Sequence, residues 1–91
     1  MNLTPQLLQA DINKISEEYF KLSTELAEIA ERKGAEWLKL RIGAKTNAET
    51  DKEWDATADG RREAYLRIYL KGLQALRGAR ILEYKANQGI L

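Results

Sequence analysis

Cysteine and histidine are both absent from the 91-residue chain. The first absence removes disulfides, thiolate nucleophiles and soft metal ligands. The second removes the commonest general base and transition-metal ligand. A single proline and six glycines are too few for a loop-rich or all-β protein. No apolar run approaches the roughly 18 residues that a membrane span needs. The N-terminal "MNLTPQLLQADINK" has neither a basic leader nor an apolar signal core. The expectation is one cytoplasmic, soluble domain spanning 1–91, without a membrane partner and near the lower size limit for a self-sufficient core.

What the chain does have is charge, on 32% of its residues, and helical periodicity. Thr4-Pro5 reads as a helix start, a capping hydroxyl followed by proline at the first helical position. Large residues then fall at Leu8, Ile12, Ile15, Tyr19, Leu22, Leu26 and Ile29, in alternating steps of four and three that define a heptad seam. Lys33 and Gly34 interrupt it, and Trp37 with Leu40 resumes it in a shifted register. Gly43, just after Lys39 and Arg41, reads as a left-handed C-cap. This places helix 1 at about 5–42 and a turn at 43–47.

The capping-box pattern "TNAE", Thr46 to Glu49, starts helix 2, about 48–86. Its apolar residues Tyr65, Leu66, Ile68, Tyr69, Leu70, Leu73 and Leu76 wrap past a narrow seam. Glu63, Arg67, Lys71, Gln74 and Lys85 form the polar remainder. Small residues at Gly72, Ala75, Ala79 and Ala86 mark an edge expected to meet another helix closely. The predicted set for dimer or helix packing is Tyr65, Ile68, Tyr69, Gly72, Leu73, Leu76 and Ala79, and "DATADGRR" allows a break near Gly60.

Charge predicts how the helices pair. Residues 1–31 carry net −4, 32–45 net +4, 46–60 net −4 and 61–91 net +5. An antiparallel hairpin folded at Gly43–Thr46 lays opposite blocks side by side and pairs positions whose numbers sum to about 91. Trp37 then faces Trp54, Tyr19 faces Gly72 and Ile15 faces Leu76, bulky against small at Tyr19–Gly72. Two helices of nearly 40 residues would span roughly 57 Å. One seam cannot cover the wide apolar face of helix 2, so the expected fold is all-α, a hairpin pairing as a homodimer into a four-helix bundle.

No constellation predicts catalysis, a cofactor or a metal. Asp51, Glu53, Asp55 and Asp59 have the spacing of cation-loop positions 1, 3, 5 and 9. An EF-hand, however, needs glycine at position 6 and glutamate at 12, where this chain has Ala56 and Arg62. Glutamates line helix 1, but di-iron bundles also use Glu-x-x-His. Phosphate-cradling glycine loops and nucleophile elbows are missing too. The candidate partner-binding strip is Arg67, Lys71, Gln74, Arg77 and Lys85. Clustered positive charge also fits phosphate, so a nucleic-acid-binding accessory protein is the alternative, and a structural coiled-coil spacer is a third.

"EYFKLSTELAEIAERKGAEWLKLR" and "EWDATADGRREAYLRIYLKGLQALRGARILE" resemble small coil-forming proteins encoded by bacteriophages. Those combine an E-Y-x-K-L-type first helix with a W-x-A-T-x-x-G segment leading into a K-G-L second helix. The matching residues are Trp54, Ala56, Thr57, Gly60, Lys71, Gly72 and Leu73, and the resemblance covers about 17–83. It implies a phage origin and an accessory role, with no catalytic residues to carry over. The resulting expectation is a non-enzymatic protein that binds a host or phage protein in the host cytoplasm. It would inhibit or modulate a defence or nucleic-acid-processing complex, in an anti-CRISPR-like or nuclease-inhibitor-like manner.

Overall fold

A computed structural model describes residues 4–43 and 46–89 of the chain. They form three helices, α1 (Pro5–Gly43), α2 (Asn47–Ala56) and α3 (Ala58–Asn87), and no strand occurs among the described residues. The molecule is a rod of 59 × 20 × 19 Å. Thr4 caps α1, its Oγ1 accepting from the Leu7 N–H at 3.3 Å. Thr46 caps α2, its Oγ1 accepting from the Glu49 N–H at 3.1 Å. Gly43 is the last residue of α1 and lacks the positive φ of a left-handed cap; among the described residues only Gly89 has one, φ 70°. Residues 44 and 45 of the expected turn lie outside the described residues.

The second helix of the sequence reading is two helices, and the break falls at Thr57 rather than at Gly60. Thr57 is extended, with φ −73° and ψ 161°. Its hydroxyl donates to the Trp54 carbonyl at 2.6 Å and accepts from the Gly60 N–H at 2.9 Å. One side chain therefore satisfies the end of α2 and the start of α3 together, where both helices leave backbone groups without intrahelical partners. Gly60 is buried for a different reason. A Cβ on it would lie 1.8 Å from the Trp54 carbonyl oxygen, so only glycine lets the two helix ends approach.

α1 and α3 lie side by side and run in opposite directions. Arg80 of α3 meets Asp11 near the start of α1, Arg77 meets Ser16, Tyr69 meets Glu18, and Arg62 meets Glu25. At the other end Asp59 meets Arg32. The core is a line of two clusters. Ile15, Leu70 and Leu73 form one, and Ile29, Trp54 and Leu66 the other; Leu22 and Leu26 pack against both. Trp37 joins the second cluster and donates through Nε1 to Asp51 Oδ1 at 2.9 Å.

The bulky-on-small matches differ from the expectation. Ile15 and Tyr19 pack with Leu70 and Leu73, not with Leu76 and Gly72. Gly72 has no atom within 4 Å of where a Cβ would sit. Of the predicted packing set, only Leu73 is buried and Tyr69 half-buried; Tyr65, Ile68, Gly72, Leu76 and Ala79 are exposed. The extended step at Thr57 is the cause. It resets the rotation of α3, so that Glu63, Leu66, Leu70 and Leu73 face α1.

Two substitutions test this account. Gly60→Ala should lower stability by about 1–3 kcal/mol in urea denaturation, because overpacking forces the α2–α3 junction apart. Leu22→Asp places an unpaired carboxylate between the two clusters and should cost on the order of 2–4 kcal/mol. An unchanged melting temperature for either variant, followed by circular dichroism, would refute the corresponding contact.

Candidate interaction surface

The rod has two long flanks where α1 and α3 meet, and they differ in charge. On one flank, cations and anions pair across the helices. Arg32 makes a bidentate bond to Asp59 at 3.0 and 3.1 Å, Arg80 Nε reaches Asp11 Oδ2 at 2.9 Å, and Arg62 Nη2 reaches Glu25 Oε1 at 3.0 Å. The hydrogen bond from Arg62 holds the Glu25 carboxyl below its ordinary value, and the one from Arg32 does the same for Asp59. Tyr69 donates to Glu18 at 2.8 Å, which raises the phenol.

The opposite flank carries the predicted strip. A groove between α1 and α3 is lined by Tyr19, Leu26, Arg67, Leu70, Lys71 and Gln74. It continues past Ser16, Phe20, Ser23 and Arg77, then past Gln9, Ile12, Asn13, Ile81 and Tyr84. Arg67, Lys71, Gln74 and Arg77 are thus brought together along one edge. Lys85, eleven residues beyond Gln74, projects from the same side of α3 by helical spacing and does not line the groove. Arg77 Nε donates to Ser16 Oγ at 2.8 Å. No carboxylate among the described residues lies within 4.0 Å of Lys71, Arg77 or Lys85.

The α1 side of this groove was not singled out from sequence. Gln9, Asn13, Ser16, Phe20, Ser23, Ala27, Ala30 and Gly34 follow one another in steps of four and three, and none is charged. The signal was available: a second heptad stripe, uncharged in a chain rich in charge, beside the apolar seam. Phe20 on it is 75% exposed.

Sequence placed Glu63 on the polar strip, but it is buried between the helices. Its Oε1 accepts from Lys33 Nζ at 3.2 Å and from Trp54 Nε1 at 3.3 Å. Its Oε2 has no hydrogen bond, and Arg67 Nη2 stands 3.7 Å away. Lys33 also lies over the Trp54 ring, 5.5 Å from its centroid. Burial pushes the Glu63 carboxyl up, but the bonds from Lys33 and Trp54 and the Arg67 charge outweigh it, and the net direction is down. Lys33 thus interrupts the apolar seam in order to neutralise a buried carboxylate. Arg67 is held beside Glu63, while Lys71 and Arg77 are left to the groove.

Two of the four acidic positions weighed as a cation loop are engaged elsewhere, Asp51 by Trp37 and Asp59 by Arg32. No group of three or more metal-ligating side chains occurs among the described residues, and no described helix is long and apolar enough to cross a membrane.

Glu25, Asp59 and Glu63 all have depressed values, so each stabilises the fold above the ordinary carboxylate range, near pH 4. That contribution is lost as pH falls through their folded values. The melting temperature should be level between about pH 6 and 8 and fall below about pH 5. Glu63→Gln should melt lower than wild type at neutral pH and show a shallower acid limb. An acid limb of unchanged slope in that variant would remove Glu63 from the account. No family model matches the chain, and neither a curated protein nor a solved structure shows significant similarity to it.

Proposed function

We propose that this chain is a non-enzymatic accessory protein of phage type that acts by binding another protein through the groove flank of α1 and α3. Its partner is a host or phage protein in the host cytoplasm, and its effect is to inhibit or modulate a defence or nucleic-acid-processing complex. In this reading the chain is a helical hairpin, and two copies pair as a bundle of long helices. One observation carries the proposal. Among the described residues Lys71, Arg77 and Lys85 have no neighbouring carboxylate, although the chain has fourteen acidic residues and cations and anions pair across the other flank. Unpaired cations beside an uncharged, partly apolar helix edge suit an acidic protein surface, with charge steering the approach and the groove supplying contact area.

The Lys71→Glu/Arg77→Glu double variant tests this. It should keep wild-type helicity, since both side chains are exposed and neither pairs with a carboxylate, and should lose one specific protein captured by the wild type from host lysate. Capture by the wild type should survive nuclease treatment. Retention of the wild type on DNA or RNA, weakening steeply with salt, with no protein captured after nuclease, would replace this reading with nucleic-acid binding.

A further inference from the structure

We infer that the outer face of α3 seats a second copy of this chain, packed antiparallel about a two-fold axis at Ala75. The inference rests on the dimer reading above and specifies its interface. Arg61, Tyr65, Ile68, Gly72, Ala75, Ala79, Leu82 and Ala86 follow one another in unbroken steps of four and three. All eight are exposed, Ile68 at 75%, Leu82 at 56% and Tyr65 at 53%. They lie on the side of α3 opposite Leu66, Leu70 and Leu73, which face α1. A heptad stripe of this length is the pattern by which one helix recognises another. At its middle nothing in the chain covers it, as the open space at Gly72 shows, while Tyr65 at one end stacks on Tyr69 and lies under Arg62.

The order of residue sizes identifies the occupant. About Ala75, the small residues Gly72, Ala75 and Ala79 form the middle of the stripe, and Ile68 and Leu82 flank it at equal distances, with Tyr65 beyond one and Ala86 beyond the other. In an antiparallel pair Ala75 meets Ala75 of the second copy, Gly72 meets Ala79, Ile68 meets Leu82 and Tyr65 meets Ala86. Small residues at the centre let the backbones approach. The larger ones flanking them fill the space that opens as the axes cross. The stripe therefore complements itself, as a two-fold interface requires.

Charge chooses the direction. A parallel pair would set Arg61, Lys71 and Lys85 each beside its own copy. The antiparallel pair sets Lys71 level with Ala79 and Lys85 level with Tyr65. It also brings Arg61 to the C-terminal end of the opposite α3, where the negative end of the helix dipole favours a cation. From Arg61 to Ala86 the contact runs about 38 Å, and a third of the helix circumference over that length is on the order of 450 Å² per copy. That is the size of a weak, reversible interface, so the dissociation constant should be on the order of 10 µM. The four long helices would lie in a row with α1 outermost on each side, leaving both groove flanks free.

The chain has no cysteine, so single-cysteine variants report the register directly. Wild type should sediment at twice 10.4 kDa at concentrations on the order of 100 µM, well above a dissociation constant on the order of 10 µM. Ala75→Glu opposes two carboxylates on the axis and should weaken the dimer by on the order of 100-fold with helicity unchanged. Oxidised Ala75→Cys should give a covalent dimer. Ile68→Cys and Leu82→Cys should link to each other when mixed far faster than either links to itself. Three results overturn the proposal: a wild-type monomer at that concentration, a dimer that survives Ala75→Glu, or faster linkage through Phe20→Cys than through Ala75→Cys. The Lys71→Glu/Arg77→Glu variant should still dimerise, so loss of partner capture with the dimer intact separates failure of the groove reading from failure of this one.

Discussion

The hydroxyl of Thr57 is the contact on which the arrangement of the chain turns. By donating to Trp54 and accepting from Gly60 it lets a single extended residue end one helix and begin the next. A continuous helix would have presented Tyr65, Ile68 and Leu76 to α1. The one-residue step instead presents Leu66, Leu70 and Leu73, with the Glu63 carboxylate, and leaves the other apolar set outside. Gly60 and Trp54 are the complementary halves of this joint, one lacking a side chain and the other filling the core beneath it. The W-x-A-T-x-x-G segment thus forms a helix-to-helix joint.

That rotation also sorts the charges. With α3 set as it is, Arg62, Tyr69 and Arg80 fall opposite Glu25, Glu18 and Asp11, and these three acids of α1 are engaged on that flank. The cations of the other flank face an edge of α1 that offers serines, amides, alanines and Phe20. The near-neutral total of +1 therefore conceals a marked asymmetry across the short dimension of the rod. Surface ion pairs of this kind contribute little stability individually. Their larger effect is on register, since a one-residue slip would separate several pairs at once.

Much of the fold was legible because it is local. The Thr4-Pro5 start, the Thr46 cap and the seam from Leu8 to Ile29 each depend on a few neighbouring residues. The helical class follows from them. What sequence did not disclose was the rotation of α3, because "DATADGRR" allows a break at either of two positions, and each sends a different apolar stripe inward. The expected pairings of Tyr19 with Gly72 and of Ile15 with Leu76, and the placing of Glu63 on the polar strip, go astray for that reason. The partner strip was legible in part: Arg67, Lys71, Gln74 and Arg77 do share an edge, since a helix fixes their spacing wherever it points. The α1 half of the groove was missed because its signal is an absence of charge, which composition averages away.

The two core clusters, joined only through Leu22 and Leu26, also imply an order of assembly. At the joint, partners are close along the chain: Trp54 and Glu63 are nine residues apart and Trp37 and Asp51 fourteen. At the far end Asp11 and Arg80 are separated by 69. Closing each successive contact away from the joint costs more chain entropy, so the structure zips from the Trp54 end toward the termini. Opening runs the same course in reverse. The distal third of the rod, with Leu8 and Arg80, is its least protected part against hydrogen exchange, although Leu8 is as fully buried as any residue in the chain.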